Sequence, residues 1–172
     1  MRRVALLLVL LTLLLAACHG SGDHWRRTSG SQTWVYFVMK RSTHPTVYDA
    51  LARTIPRWSV QSSTVALRLV DSCPSATANC VPIKFTSRNG GSAHRGVTGD
   101  GHILTGTSTY IVFDSGPWRQ VTAEYVACHE VGHELGADHY PIAGVQGPCD
   151  PNTRQPTAHD IDEVTRAHAH ID

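Results

Sequence analysis

The chain has 172 residues, of which 41% are hydrophobic, and this length suits one domain with one buried core. Its 15 basic and 14 acidic residues give a formal charge of +1, so the chain has no broad positive field to attract a polyanion. The composition therefore argues against nucleic acid as a partner. We expect the protein to be a monomer.

The first residues have the pattern of an export signal. A short basic region precedes an apolar run over residues 4–15, which is too short to span a bilayer comfortably. The sequence LAAC then resembles the bacterial lipobox, whose cysteine becomes the lipidated first residue of the mature protein. We predict a lipoprotein signal peptide over residues 1–17, a lipid anchor at Cys18 and an extracellular, membrane-anchored bacterial lipoprotein. The alternative is ordinary signal-peptide cleavage, which would release a secreted protein.

The residues after Cys18 divide into a tether and a domain. Residues 18–31 are rich in glycine, serine and charge, and this composition predicts a flexible tether. A domain is predicted over residues 32–172. Its first half predicts a strand over 33–38, a helix over 45–55, strands over 64–70 and 81–86, and a loop or irregular edge over 87–102.

The second half of the domain contains two predicted helices. A strand over 109–113 leads into a long helix from about residue 117 or 118 to residue 135, with apolar residues three or four apart. Gly136 can supply a left-handed stop to this helix. A closing helix is predicted over 158–169. Strands and helices interleaved in this way indicate an α+β domain.

Four cysteines lie beyond the lipobox: Cys73, Cys80, Cys128 and Cys149. An even number of cysteines in an exported protein predicts two disulfides, for which there are three connectivities. We favour Cys73 with Cys80, because they enclose a short loop of turn-forming residues. That choice leaves Cys128 to pair with Cys149.

The long helix carries the sequence HEVGHELGADH, which predicts a metal site. His129 and His133 are four residues apart, so they lie on one face of the helix and can bind one ion. Glu130 points beside that ion, where it can act as a general base. Gly136 allows a sharp turn, after which His139 returns as the third ligand. Three nitrogen ligands with one open position are typical of catalytic zinc.

This motif, with YIVFDSGPW before it and PTAHDIDEV after it, resembles the metzincin clan of zinc endopeptidases and its matrixin branch. The resemblance is strong over residues 109–170 and only architectural before them. It implies a twisted mixed sheet, an active-site helix and a C-terminal helix, with one catalytic Zn²⁺ in a shallow cleft. It also implies a peptide or protein substrate held extended along an edge strand. The sequence does not indicate structural Ca²⁺.

The chain departs from metzincins at the methionine that they place in a turn beyond the third histidine. Its two methionines are Met1 and Met39, and the matching region GVQGPCDPN offers Cys149 or Asp150 instead. We expect a bond from Cys149 to Cys128 to tie this turn to the helix. Asp150 is expected to cap the turn or face solvent, because a buried carboxylate would be costly.

Two functions follow from the motif and the altered turn. The first is a zinc endopeptidase with Glu130 as general base. The second is a zinc-binding surface lipoprotein that recognises a protein partner without cleaving it. Glu134 and Asp138 do not fall at ligand spacing and are expected to be a helix-face charge and a solvated charge. The scattered histidines are also expected to be solvated: His19, His24, His44, His94, His159, His168 and His170.

Overall fold

A computed structural model describes residues 23–26, 32–61, 64–87, 90–139, 141–142 and 145–169, so the predicted signal peptide and Cys18 lie outside it. The strands are β1 (Thr33–Val38), β2 (Val65–Val70), β3 (Asn79–Thr86), β4 (Gly91–His94), β5 (Tyr110–Asp114), β6 (Pro141–Ile142) and β7 (Val145–Gln146). The helices are α1 (Pro45–Gln61), α2 (Gln120–Glu134) and α3 (Ala158–Ala167), with a 3₁₀ turn at Gly106–Ser108. Within the described ranges, no helix combines the length and apolar character that crossing a bilayer requires.

Five strands form one mixed sheet in the order β2-β1-β3-β5-β4. The first four strands in this order are parallel, and β4 pairs antiparallel with β5 at the edge. Alternate residues such as Val35, Phe37, Ile111 and Phe113 are fully buried, as expected when one face of a sheet is covered. Helices α1 and α2 pack on each other and on this sheet, with α2 beside β4. The predicted α+β fold with a mixed sheet is confirmed.

Helix α1 is longer than its sequence pattern predicts. It continues beyond residue 55 to Gln61, with Pro56 inside it. The added turn buries Trp58 completely, and its indole Nε1 donates to the carbonyl oxygen of Cys128 on α2 at 3.2 Å. This tertiary contact offsets the backbone hydrogen bond that a proline removes from a helix.

The strand β4 lies in the segment predicted as loop or irregular edge. Its residues Gly91–His94 pair antiparallel with β5. A Cβ atom at Gly91 would collide with Val126 and press on Glu130, both on α2. The glycine is therefore needed for close approach of the strand to the helix. In the local sequence this glycine favours a loop. The segment forms a strand because it packs against α2.

Both favoured disulfides are present. Cys73 bonds to Cys80 and Cys128 bonds to Cys149, each with a Cα–Cα distance of 6.0 Å. The first closes the loop ahead of β3. The second joins α2 to the turn after β7, across a sequence separation of 21.

Residues 23–26 belong to the predicted tether, yet they pack against the domain. Trp25 is fully buried, and its backbone N–H donates to Nε2 of His168 at 3.0 Å. The backbone of His24 exchanges hydrogen bonds with Gly101 and Ile103. Burial of a large indole ring is favourable enough to order a short segment of otherwise polar chain. The rest of the tether lies outside the described residues.

Candidate metal centre

The end of α2 brings the three predicted ligands together. His129 and His133 lie on the same face, one turn apart, and the helix ends at Glu134. Gly136 has a φ of +91°, as predicted for a left-handed stop. The backbone N–H groups of Gly136 and Ala137 donate to the carbonyls of His133 and Gly132, which is a Schellman turn. The chain then reverses and places His139 opposite the other two imidazoles.

The Nε2 atoms of the three histidines form a nearly equilateral triangle. His129 and His133 are 3.0 Å apart at these atoms, His133 and His139 are 3.0 Å apart, and His129 and His139 are 3.1 Å apart. Tetrahedral zinc at about 2.0–2.1 Å from each nitrogen separates its ligands by roughly 3.3 Å. The triangle therefore fits a single metal ion with only a small expansion.

Two of the rings have their tautomers fixed by backbone carbonyls. Nδ1 of His129 lies 3.1 Å from the Pro148 oxygen, and Nδ1 of His133 lies 2.8 Å from the Ala137 oxygen. A carbonyl can only accept, so each Nδ1 carries the hydrogen and each neutral ring directs the Nε2 lone pair toward the other. Facing lone pairs repel unless a cation lies between them. The donor set therefore favours a metal ion, with carbonyls holding the rings as in known metal sites.

Burial keeps these imidazoles in the neutral form that a metal requires. It lowers the pKa of His129, and the neighbouring His139 lowers it further. It also lowers the pKa of His133 to about 4, against the opposing effect of the hydrogen bond to Ala137. His139 is the exposed member of the trio.

Glu130 follows His129 on α2 and packs against the edge strand β4. Its side chain is 6% exposed, and its carboxylate accepts a hydrogen bond from the backbone N–H of Ala93 on β4. Burial raises the pKa of Glu130 to about 7. The carboxylate is thus held against β4.

The turn after β7 forms the floor of the site. Gly147 has a φ of +87°, and a Cβ atom there would collide with the rings of His139 and His129. Pro148 supplies the carbonyl that holds His129. Cys149 is fully buried with a φ of +75°, a conformation that non-glycine residues seldom adopt. The turn beyond the third histidine thus has a glycine under the rings and a disulfide beneath it.

A buried carboxylate at the start of α3 holds this floor in place. Oδ2 of Asp160 accepts from the backbone N–H of Cys149 at 3.0 Å and from that of Thr157 at 2.6 Å. Thr157 and Asp160 form a capping box at the first turn of α3. The pattern T-x-x-D in the sequence indicates this cap, but not its second partner on the floor. Asp150 lies outside the floor and accepts from the backbone N–H of Asn152 at 2.8 Å, so it caps a turn as expected.

Several polar residues are more buried than the sequence indicates. The interpretation of Glu134 as a helix-face charge is wrong: its side chain is fully buried, and Oε1 accepts from the backbone N–H of His94 at 3.2 Å. Burial raises the pKa of Glu134 well above its usual range. Asp138 lies 3.3 Å from the Arg95 guanidinium. Two histidines expected in solvent are also buried: His24 and His168.

Substitution of Gly147 tests whether the floor sets the ligand triangle. In Gly147→Ala the added methyl group must displace His139 and His129, and the positive φ adds strain. We expect zinc affinity, measured by competition with a chromophoric chelator, to fall by about 10- to 100-fold. Gly99→Ala is the matched control, because a Cβ there meets nothing within 4 Å. Equal affinities in the two variants would rule out this role for the floor.

Two comparisons with known proteins find no relative of this chain. No protein-family model matches the chain. A search among curated proteins also finds no significant match. The structure by itself establishes an α+β domain with a mixed sheet, in which His129, His133 and His139 form a cluster that can bind a metal ion.

Proposed function

We propose that the protein is an exported zinc endopeptidase of the metzincin type, anchored to the membrane by a lipid on Cys18. The carrying observation is the triangle of Nε2 atoms, 3.0 to 3.1 Å apart. Three imidazoles with one open position match catalytic zinc better than structural zinc, which has four protein ligands. The resemblance of the motif and the flanking sequences to matrixins supports the same reaction.

Each residue of the site has a role in peptide hydrolysis. His129, His133 and His139 would hold the ion, which when bound supplies a Lewis acid and makes a water molecule acidic enough to lose a proton near neutral pH. Glu130 would accept the proton of that water as it attacks the scissile carbonyl, and would then pass the proton to the leaving amine. The backbone N–H of Ala93 would help to orient this carboxylate.

The substrate would be a peptide in extended conformation. Two features of β4 support this: it is the edge strand of the sheet, and it lies next to Glu130. An extended peptide can add to such an edge through main-chain hydrogen bonds. Its scissile bond would then lie close to both Glu130 and the imidazoles.

Chelation tests the proposal directly. We expect the purified protein to cleave casein or a quenched peptide. The cleavage rate should fall to background after treatment with 1,10-phenanthroline and recover when Zn²⁺ is added in slight excess. Cleavage that persists without metal would contradict a zinc mechanism. Zinc bound in a one-to-one ratio without turnover would instead favour the alternative, a zinc-binding surface lipoprotein that recognises a protein partner.

A further inference from the structure

The N-terminal strap, defined as residues 23–25, docks against the end of the metal-binding helix. Trp25 is fully buried, and its indole Nε1 donates to the carbonyl oxygen of Glu134 at 2.9 Å. Glu134 is the last residue of α2, where carbonyls lack partners within the helix. The strap thus satisfies one of these carbonyls from a residue 109 positions earlier in the chain.

The strap also packs against the turn that leads to the third ligand. The carbonyl oxygen of Asp23 lies so close to Gly136 that a Cβ atom there would collide with it. Gly136 is therefore needed for this contact as well as for its left-handed φ of +91°. Both Asp23 and Trp25 of the strap therefore contact the segment between His133 and His139.

Arg95 makes a second connection between the strap and this turn. Its Nη2 atom lies 3.6 Å from Asp23 and 3.3 Å from Asp138, the residue before His139. The side chains of Arg95 and Asp23 are only 15% and 16% exposed, so solvent screens this pair less than a surface pair. On the other side, the backbone N–H of Asp138 lies 3.4 Å from a carboxylate oxygen of Glu163 on α3.

Trp25 also attaches the strap to the C-terminal end of α3. The Trp25 backbone N–H donates to Nε2 of His168, and Nδ1 of the same ring lies 2.9 Å from the Val164 oxygen. Since the Val164 carbonyl can only accept, the ring is the Nδ1–H tautomer and accepts at Nε2. The strap therefore bridges α3 and the end of α2.

From these contacts we propose that the N-terminal strap is a positioning element for the metal centre, which holds the 134–138 turn so that His139 meets the two helical histidines. His139 is the exposed ligand, so its place depends on that turn. Without the strap, the turn would sample more conformations, and part of the free energy of metal binding would go into ordering it. This inference rests on the metal site of the proposed function, but not on proteolysis.

The test is the zinc affinity of Trp25→Phe in the mature chain from residue 18 onward, with Cys18→Ser as background. Phenylalanine keeps an aromatic ring but removes the Nε1–H donor to Glu134. We expect the dissociation constant for Zn²⁺ to rise about tenfold, as for other residues that orient metal ligands indirectly. The visible absorption of the Co²⁺-loaded protein should also change in intensity, because the position of one ligand is less well defined.

The control separates a positioning role from a general loss of stability. Val65→Ala removes buried volume on β2, at the opposite edge of the sheet from β4. We expect it to lower the Tm of the metal-free protein at least as much as Trp25→Phe, while zinc affinity and the Co²⁺ spectrum stay as in the parent protein. If both variants lose zinc affinity in proportion to Tm, the strap has no positioning role.

The outcomes also distinguish this proposal from the proposed function. A parent protein that binds no zinc would overturn the metal site itself. If the parent protein binds zinc and Trp25→Phe binds it equally tightly, only the role of the strap is overturned. Should Trp25→Phe fail to fold, Asp23→Asn decides: it removes the charge facing Arg95, so a weaker zinc affinity supports the strap and an unchanged one contradicts it.

Discussion

Glu130→Gln is expected to lower kcat/KM for a peptide substrate by about 10³-fold while zinc affinity stays unchanged. The amide is similar in size to the carboxylate and can still accept the hydrogen bond from Ala93, so the site should keep its shape. It cannot, however, accept a proton from water. The three imidazoles remain, so metal binding should be that of the parent protein. Steady-state kinetics and chelator competition on the same preparation measure both quantities.

Glu124→Gln is the matched control for this substitution. Glu124 lies on the same helix and is 9% exposed, but it faces Arg53 at 3.0 Å instead of the histidines. We expect its kcat/KM to stay within about twofold of the parent protein, since a partly exposed ion pair contributes little. If Glu130→Gln retains the activity of Glu124→Gln, the general-base assignment is wrong. Loss of zinc in Glu130→Gln would make this carboxylate part of the metal site instead.

Removal of the disulfide under the metal centre should have the largest effect on stability. For Cys128→Ala/Cys149→Ala we expect a loss of about 3 kcal/mol in the free energy of unfolding, from the loop entropy released in the unfolded chain. Zinc affinity should also fall. Residue 149 would no longer have the bond that helps to hold its φ of +75°. The neighbouring Pro148 carbonyl would then hold His129 less firmly. Urea denaturation and zinc titration measure the two effects.

The second disulfide offers the comparison. Cys73→Ala/Cys80→Ala opens a shorter loop, with a sequence separation of 7, and we expect a loss of about 2 kcal/mol. This disulfide joins the loop before β3 to the start of that strand, away from the metal-binding turn, so zinc affinity should not change. Equal zinc affinities in the two double variants would show that the floor of the site does not depend on the Cys128–Cys149 bond.

The sequence alone predicts the parts of this fold that local pattern determines. A run of β-branched and aromatic residues predicts β1 at Thr33–Val38 as observed, and the helical spacing of His129 and His133 predicts their convergence. The left-handed turn at Gly136 follows from its position directly after Leu135, the last apolar residue of the predicted helix. The disulfide between Cys128 and Cys149 follows from pairing the other two cysteines across a short loop.

The features that the sequence does not reveal depend on contacts between distant residues. β4 has the composition of a loop and becomes a strand because β5 and α2 lie beside it. Glu134 has the position of a surface charge, yet the edge of β4 covers it. Trp25 is the large apolar residue in a polar segment, which hints at an anchor but does not identify the pocket that receives it.

The docking of Trp25 has a consequence for where the proposed peptidase could act. If Cys18 carries the proposed lipid, the five peptide units from Cys18 to Asp23 can reach at most about 18 Å. Cleavage would then be confined to peptides presented within a few nanometres of the lipid headgroups, and a Gly-Ser spacer inserted after residue 22 should extend that reach measurably. The sequence predicts a tether of 14 residues, but only the residues before Asp23 would separate the lipid from the domain. Substrates would then be selected by their distance from the bilayer.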